Sequence, residues 1–374
     1  MPDASPAPLR VMVVDDSAVA RGFIRRWVEV EPGIEIVASL RTGREALNYL
    51  DRADPDVVVL DVEMPDMDGI TALPLLLKKK PGLAVIMAST LTRRNAEVTL
   101  RALSLGALDC IQKPDPTGAM TSENYRYALI SKIRELGTRA RRGLMPAALD
   151  RARRSLPVRP AALAGSHGTS HPFTLRSAGT VIPRVLVIGA SSGGPQALND
   201  VCSRLGPVID QSPVLITQHM PPTFTTILAE HLARATGRVA REAEDGEPIR
   251  AGRIYVAPGH RHLKVERVKG DPVVVLDDSA PIHFCKPSVD MLFSSAAAVW
   301  GARVLGLMLT GMGTDGTAGA ADLVDAGGSL IAQDEATSIV WGMPGSVAQA
   351  GLCCQVLPLS DIAPAIARAF GRPA

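Results

Sequence analysis

Between Leu9 and Leu136, short apolar runs alternate with stretches in which apolar residues recur at helical spacing. The runs Leu9–Val14, Ile34–Ser39, Val57–Leu60, Ala84–Ala88 and Asp109–Gln112 predict strands. The stretches Ala18–Val30, Gly43–Leu50, Leu73–Lys79, Asn95–Leu105 and Tyr125–Leu136 predict helices. Strands alternating with helices in a (βα)5 order imply a parallel sheet with helices on both faces. The order breaks over residues 138 to about 182 and resumes from Arg184 to Phe370. There the apolar runs Val185–Ile188, Val214–Thr217, Ile254–Val256, Val273–Leu276, Val304–Leu309 and Ser329–Ala332 predict a second, doubly wound and mostly parallel α/β unit.

The break is rich in Arg, Pro, Ala, Ser and Gly. Its Arg139, Arg141, Arg142, Arg151, Arg153, Arg154 and Arg159 face Asp150 as their one acid, which reads as a solvated linker. At 374 residues the chain is long enough for two domains, and 46% apolar content can fill two cores. Aromatics are only 3%, so the cores are expected to be aliphatic. A net charge of +2 gives no bulk attraction to nucleic acid or to a membrane surface. The cysteines Cys110, Cys202, Cys285, Cys353 and Cys354 show no CxxC pairing and are expected to be buried free thiols in a reducing compartment. Met1 to Leu9 carries no apolar signal region, and no run of about 18 apolar residues is present to span a bilayer. A cytoplasmic monomer is the expectation.

Chemistry in parallel sheets gathers just past the carboxyl ends of the strands. In the first half those ends carry Asp15-Asp16, Asp61, Ser89 and Lys113. Three carboxylates meeting in one crevice need a cation, and oxygen ligands suit a hard ion such as Mg²⁺. Lys113 can pair with a phosphoryl oxygen and Ser89 supplies a hydroxyl. The set fits phosphoryl transfer onto Asp61 as the nucleophile. Together Val-Val-Asp-Asp-Ser, Leu-Asp-Val-Glu-Met-Pro-Asp-Met-Asp-Gly at 60–69, Ser89-Thr90 and Lys113-Pro114 resemble a response-regulator receiver domain with a flavodoxin-like sheet. The resemblance implies a histidine kinase as phosphodonor and Asp61 as phosphoacceptor. It further implies Mg²⁺ held by Asp16 and Asp61, with Asp15 acting through water and Glu63 through its carbonyl. Cys110 stands where many receivers carry a switch aromatic.

In the second half, Val185-Leu-Val-Ile runs into Gly189-Ala-Ser191-Ser-Gly193-Gly. A buried strand meeting a glycine turn and a helix lifts the Ser191 hydroxyl beside backbone N–H groups, which suits a nucleophile with an oxyanion site. Of the seven histidines, His219 ends the run Val214–Gln218 at the same sheet edge. His260 and His262 follow Tyr255-Val-Ala-Pro-Gly and are rivals for the base or for lining a cleft. His231 lies in a helical stretch, and His167 and His171 lie in the linker. Asp315, set among Gly311, Gly313 and Gly316 after Val304–Leu309, suits a carboxylate that orients an imidazole, or alternatively a helix cap. The order Ser, His, Asp differs from the Ser, acid, His order of ordinary α/β-hydrolases. A dinucleotide site is disfavoured, because the glycines lack GxGxxG spacing and Gln218-His219 offers no acid for a ribose.

The motifs Ile-Gly-Ala-Ser-Ser-Gly-Gly at 188–194, Thr-Gln-His-Met-Pro-Pro at 217–222, Ala-Pro-Gly at 257–259, Pro-Ser-Val-Asp at 287–290 and Leu-Thr-Gly-Met-Gly-Thr-Asp-Gly at 309–316 resemble the chemotaxis protein-glutamate methylesterase family. The resemblance implies the triad Ser191, His219 and Asp315, an oxyanion contact from the Met312 N–H, and assistance from Ser192 where the family often has Thr. The segment His-Phe-Cys-Lys at 283–286 departs from the Arg-rich sequence often found there. On this reading residues 9–136 form the receiver, 137–182 the linker and 183–372 the methylesterase domain. The implied activity is hydrolysis of glutamate methyl esters on a methyl-accepting chemoreceptor, with methanol released and no cofactor for the ester step. Deamidation of receptor glutamines by the same acyl chemistry is implied as well. Phosphorylation of Asp61 is expected to open the serine site. The rival functions are a regulator that binds nucleic acid, which the output half does not favour for want of a helix-turn-helix or a basic stripe, and a small-ester hydrolase unconnected with receptors.

Overall fold

The computed structural model describes residues 7–114, 122–143 and 173–371. They fall into two compact units, one within residues 1–156 and one within 157–374.

The first unit runs β1 (Leu9–Val14), α1 (Ala18–Glu29), β2 (Ile34–Leu40), α2 (Gly43–Tyr49), β3 (Val57–Asp61), α3 (Gly69–Lys79), β4 (Ala84–Ser89), α4 (Arg93–Ser104), β5 (Asp109–Gln112) and α5 (Ser122–Arg141). Its sheet has five strands in the order β2-β1-β3-β4-β5, all parallel. Strands β3 and β4 are buried along their whole length, as helix-covered strands of Val, Ile and Leu must be. Ser17, Thr42, Asp68 and Thr92 each accept a backbone N–H from the first turn of α1, α2, α3 and α4. Short polar caps of this kind set the helix starts, and with Asp68 as cap α3 begins at Gly69, ahead of the helix start expected at Leu73.

Helix α5 corrects the expected linker boundary, because it continues through residues 137–141. The reason is anchoring: Arg139 is buried, and Arg141 pairs with Asp56 and donates to the Pro8 carbonyl at 2.6 Å. Arg139 is thus a buried side chain, and Arg141, though exposed, is tied to the first unit by these contacts. Arg151, Arg153, Arg154 and Arg159, with His167 and His171, lie outside the described residues. At the other end of the break, Phe173 packs on Trp341 with ring centroids 6.3 Å apart. Beside it the Arg176 N–H donates to the Cys353 carbonyl at 2.9 Å. Residues 173–182 therefore belong in part to the second unit.

That unit runs β6 (Val185–Ala190), α6 (Gly194–Cys202), α7 (Gly206–Ile209), β7 (Val214–Gln218), α8 (Phe224–Thr236), β8 (Val239–Glu242), β9 (Arg253–Val256), β10 (His262–Val268), β11 (Asp271–Asp277), α9 (Val289–Trp300), β12 (Val304–Met308), α10 (Thr317–Asp325), β13 (Ser329–Gln333), α11 (Gly342–Gln349), β14 (Gln355–Leu357) and α12 (Leu359–Ala369). Seven strands form a parallel sheet in the order β14-β13-β12-β6-β7-β9-β8. From β6 the chain builds outward through β7, then returns to the far side of β6 at β12. The ends of β6 and β12 thus flank a topological switch point, where open α/β sheets place their sites.

Strands β8, β10 and β14 escape the hydrophobic pattern. β8 reads Val-Ala-Arg-Glu at the sheet edge, and β14 has three residues. β10 pairs antiparallel with β11 in a separate two-stranded ribbon, so the unit is not wholly parallel.

Candidate active site and acidic crevice

In the first unit the switch point lies between β1 and β3. One carboxylate oxygen each from Asp15, Asp16 and Asp61 lies within 4.8 Å of the others. Lys113, just past β5, reaches Asp15 Oδ2 at 2.7 Å and Asp61 Oδ2 at 2.8 Å. Burial pushes the Asp61 carboxyl up to about 6, against the opposing pull of Lys113. Clustered oxygens with a destabilised charge are the donor set that a hard divalent cation satisfies. The Glu63 side chain is exposed and outside this carboxylate cluster. Ser89 is fully buried and donates to the Thr90 carbonyl at 3.2 Å. Cys110 lies buried in β5, its thiol pushed up to about 12 by burial and by the neighbouring Asp109.

A pH dependence follows. With a folded pKa above its unfolded value, Asp61 binds protons more readily in the folded chain, so its burial destabilises the metal-free fold above about 6 and not below about 4. A divalent cation such as Mg²⁺, if held by these carboxylates, would compete with that proton. Affinity measured by titration is expected to fall by about tenfold for each pH unit below about 6, and an affinity flat between pH 7 and pH 5 would contradict the assignment.

In the second unit Ser191 stands between β6 and α6. Its N–H donates to the Thr310 carbonyl at 3.0 Å, and its carbonyl accepts from Gly194 N–H at 2.7 Å and Gln218 Nε2 at 2.9 Å. The turn needs its glycines: Gly193 has φ of 77°, and a Cβ on Gly194 would lie 1.9 Å from Gln218 Oε1. Backbone N–H of His219 donates to the Ala190 carbonyl at 3.0 Å, which sets the histidine next to the serine. Ser192 is buried, and its carbonyl accepts from the Thr310 hydroxyl at 2.8 Å. Gly311 presses on Ser191, since a Cβ there would sit 2.9 Å from the serine Cβ. Met312 follows, half-buried, and its N–H is given to no acceptor among the described residues.

His219 Nε2 meets Asp315 Oδ2 at 2.7 Å. Asp315 is buried and also accepts from Ser288 Oγ at 2.7 Å, Val289 N–H at 2.7 Å and Asp290 N–H at 3.3 Å. The last two begin α9, whose N-terminal dipole favours an anion. Burial opposes the Asp315 charge, yet His219 and these donors hold the carboxyl well below the usual range. On the imidazole, burial likewise opposes charge. Cys285 and Asp315 oppose that and raise His219 above the usual imidazole value.

The position of each rival histidine is plain. His262 follows the end of β9 and is fully buried as the first residue of β10. Its Nδ1 accepts the Ser288 N–H at 3.0 Å, and Nε2 lies 3.2 Å from the Ala280 carbonyl. It holds the segment that holds Asp315. His260 is exposed, and His231 is half-buried in α8. The structure thus joins His219 to Asp315, and the backbone of His219 lies against Ala190, the neighbour of Ser191. It does not show a Ser191–His219 hydrogen bond: the Ser191 hydroxyl has no partner among the described residues, and His219 Nδ1 faces Cys285 Sγ at 3.6 Å. Cys285 is therefore not a buried bystander, as expected of the cysteines. The supports Gln218, Thr310 and Ser288 all lie inside the quoted motifs; Gln333, which accepts the Thr310 N–H at 2.9 Å, lies outside them, and its one signal is its place just past the apolar run Ser329–Ala332.

A receiver-type acidic crevice in one unit and a Ser-His-Asp arrangement at the switch point of the other define a phosphorylatable regulator joined to a serine-hydrolase fold. Residues 11–123 match the response regulator receiver domain model, and residues 186–366 match the CheB methylesterase model. A protein-glutamate methylesterase/protein-glutamine glutaminase of the group 2 operon from Rhodopseudomonas palustris is 56% identical over 97% of this chain and 94% of its own. Its namesake from Bradyrhizobium diazoefficiens is also 56% identical over the same shares. The crystal structure of the Thermotoga maritima CheB methylesterase catalytic domain is 38% identical, covering 50% of this chain and 99% of that one with a TM-score of 0.48. The chain belongs to the CheB methylesterase family, with a response-regulator receiver domain ahead of the methylesterase domain.

Proposed function

We propose that this chain is a phosphorylation-activated hydrolase of glutamate methyl esters on chemoreceptors, with deamidation of receptor glutamines by the same chemistry. The observation that carries the reading is the 2.7 Å contact of His219 Nε2 with Asp315 Oδ2 beside a serine at the end of β6. Asp315 keeps the proton on Nε2, so Nδ1 is the nitrogen with a lone pair to take the Ser191 proton. The Ser191 oxygen then attacks the ester carbonyl. The Met312 N–H, with help from the Ser192 side, supports the oxyanion. His219 returns the proton to the leaving methoxide, methanol departs, and water repeats the sequence on the acyl-serine. A nucleophile–base contact that is long without substrate is common in such sites and shortens once substrate is bound.

In the receiver, Asp61 takes the phosphoryl group from a histidine kinase and Lys113 pairs with its oxygens. Asp15, Asp16 and Asp61, with the carbonyl of residue 63, would hold Mg²⁺, which supplies charge neutralisation at the phosphoryl group. The domain limits 9–136, 137–182 and 183–372 remain our division, with the linker shortened by the helix and the docked segment described above. No helix among the described residues is long and apolar enough to cross a membrane, and we place the enzyme in the cytoplasm, facing the receptor's cytoplasmic helices.

The test is methanol release from methylated receptor with and without a small phosphodonor. Wild type is expected to speed up with phosphodonor by about tenfold or more, an effect of about 1.4 kcal/mol. Asp61→Asn is expected to lose the response and keep the basal rate. Equal stimulation of both proteins would remove Asp61 from the switch.

A further inference from the structure

We infer that Cys285 Sγ and His219 Nδ1 form a binding site for a thiophilic divalent metal ion such as Zn²⁺, and that the ion switches the hydrolase off by occupying the nitrogen that must accept the serine proton. The two atoms lie 3.6 Å apart. A tetrahedral ion with Zn–S of about 2.3 Å and Zn–N of about 2.0–2.1 Å sets sulfur and nitrogen about 3.6 Å apart. The pair already has the spacing of two vertices of such a site.

The other ring nitrogen supplies the second argument. Metal-binding imidazoles typically donate their remaining N–H to a carboxylate, which fixes the tautomer and raises the basicity of the ligating nitrogen. Asp315 Oδ2 does this at Nε2, at 2.7 Å. Its remaining contacts, with Ser288, Val289 and Asp290, hold it on that side of the ring. Asp315 is therefore the orienting group, and water completes the coordination.

Cys285 is brought there by a two-residue turn. Ile282 and Cys285 exchange backbone hydrogen bonds at 3.1 and 2.7 Å, with His283 and Phe284 between them at φ of 48° and 62°. Positive φ at both central positions is the geometry of a tight hairpin turn. The sulfur is half-buried and within reach of solvent ions.

Binding converts the thiol to a thiolate. The Sγ–H bond breaks, its proton leaves to water, and Sγ–metal and Nδ1–metal bonds form. No oxidant is involved. The receiver crevice offers oxygen alone and suits a hard ion, while this pair offers sulfur and imidazole, so the two sites sort ions by softness. The inhibitory consequence rests on the hydrolase reading above, whereas binding itself does not.

The experiment uses the full chain, with Co²⁺ as spectroscopic probe and Zn²⁺ as inhibitor. A thiolate-to-cobalt charge-transfer band is expected in wild type and in Ser191→Ala, and absent from Cys285→Ser. Co²⁺ held by carboxylates in the receiver gives no such band. Zn²⁺ is expected to inhibit methanol release reversibly, with chelator restoring it. Each protein being referred to its own metal-free rate, the half-inhibiting concentration should rise by about tenfold or more in Cys285→Ser. Millimolar Mg²⁺ should do neither. A band that persists in Cys285→Ser, or no band in wild type, overturns the site whether or not the chain proves to be an esterase. Equal zinc sensitivity of the two proteins overturns the switch.

Discussion

Ser191→Ala is expected to lower methanol release from methylated receptor by about 10⁴- to 10⁶-fold, the scale on which removing the nucleophile silences serine hydrolases. The loss should fall on kcat, because the hydroxyl enters the reaction and the turn that carries it does not depend on it. Main-chain bonds hold that turn: Ser191 N–H to Thr310, Gly194 N–H to the Ser191 carbonyl, and the Gln218 amide to the same carbonyl. Alanine keeps all of them. Thermal unfolding of the variant should therefore match wild type to within about 0.5 kcal/mol. A variant that retained a tenth of the activity would show that Ser191 is not the nucleophile.

Asp315→Asn is expected to cost about 10⁴-fold in kcat and, unlike the serine variant, to cost stability as well. The carboxylate accepts from His219 Nε2, Ser288 Oγ and the Val289 and Asp290 N–H groups. An amide has one acceptor oxygen, so at least one buried donor is left facing an NH₂. The tautomer of His219 also loses its anchor, and a proton on Nδ1 cannot serve as a base. Leaving buried donors unpaired costs about 1–3 kcal/mol each. The sign with pH is fixed by the depressed carboxyl: its contribution is in place above the unfolded value of about 4 and is lost as pH falls toward the lower folded value. The stability gap between wild type and Asp315→Asn, measured by denaturant unfolding, is thus expected to be widest near neutral pH and to narrow on acidification below about 4. A gap that widened with acid would contradict the assignment.

Much of this was legible along the chain because it is local. Strands such as Val57–Leu60 and Val304–Leu309 are apolar runs that cannot rest in water, and the polar residues just past them fall at the sheet edge by topology alone. Asp15, Asp61, Lys113, Ser191, His219 and Asp315 are found by that rule. The edge strand Val239–Glu242 was not, because its residues are half charged and only one side of it is paired. His262 does follow the end of β9, but it also opens β10 in a ribbon outside the main sheet, and the hydrophobic pattern carries no mark of which sheet a strand joins.

Two α/β units, the strand ends that carry chemistry, and the resemblance that singles out Ser191, His219 and Asp315 can all be read along the chain. These follow from periodicity and motif, which are properties of neighbouring residues. Only the tertiary structure decided which atoms meet. It set Nε2 of His219 on Asp315, made His262 a support of Ser288, and turned Cys285 from a cysteine in a divergent stretch into the neighbour of the base at 3.6 Å. The physical reason is that 66 residues separate Cys285 from His219 along the chain, and side-chain contact over that separation depends on how packed elements close the intervening loops, which no local pattern encodes.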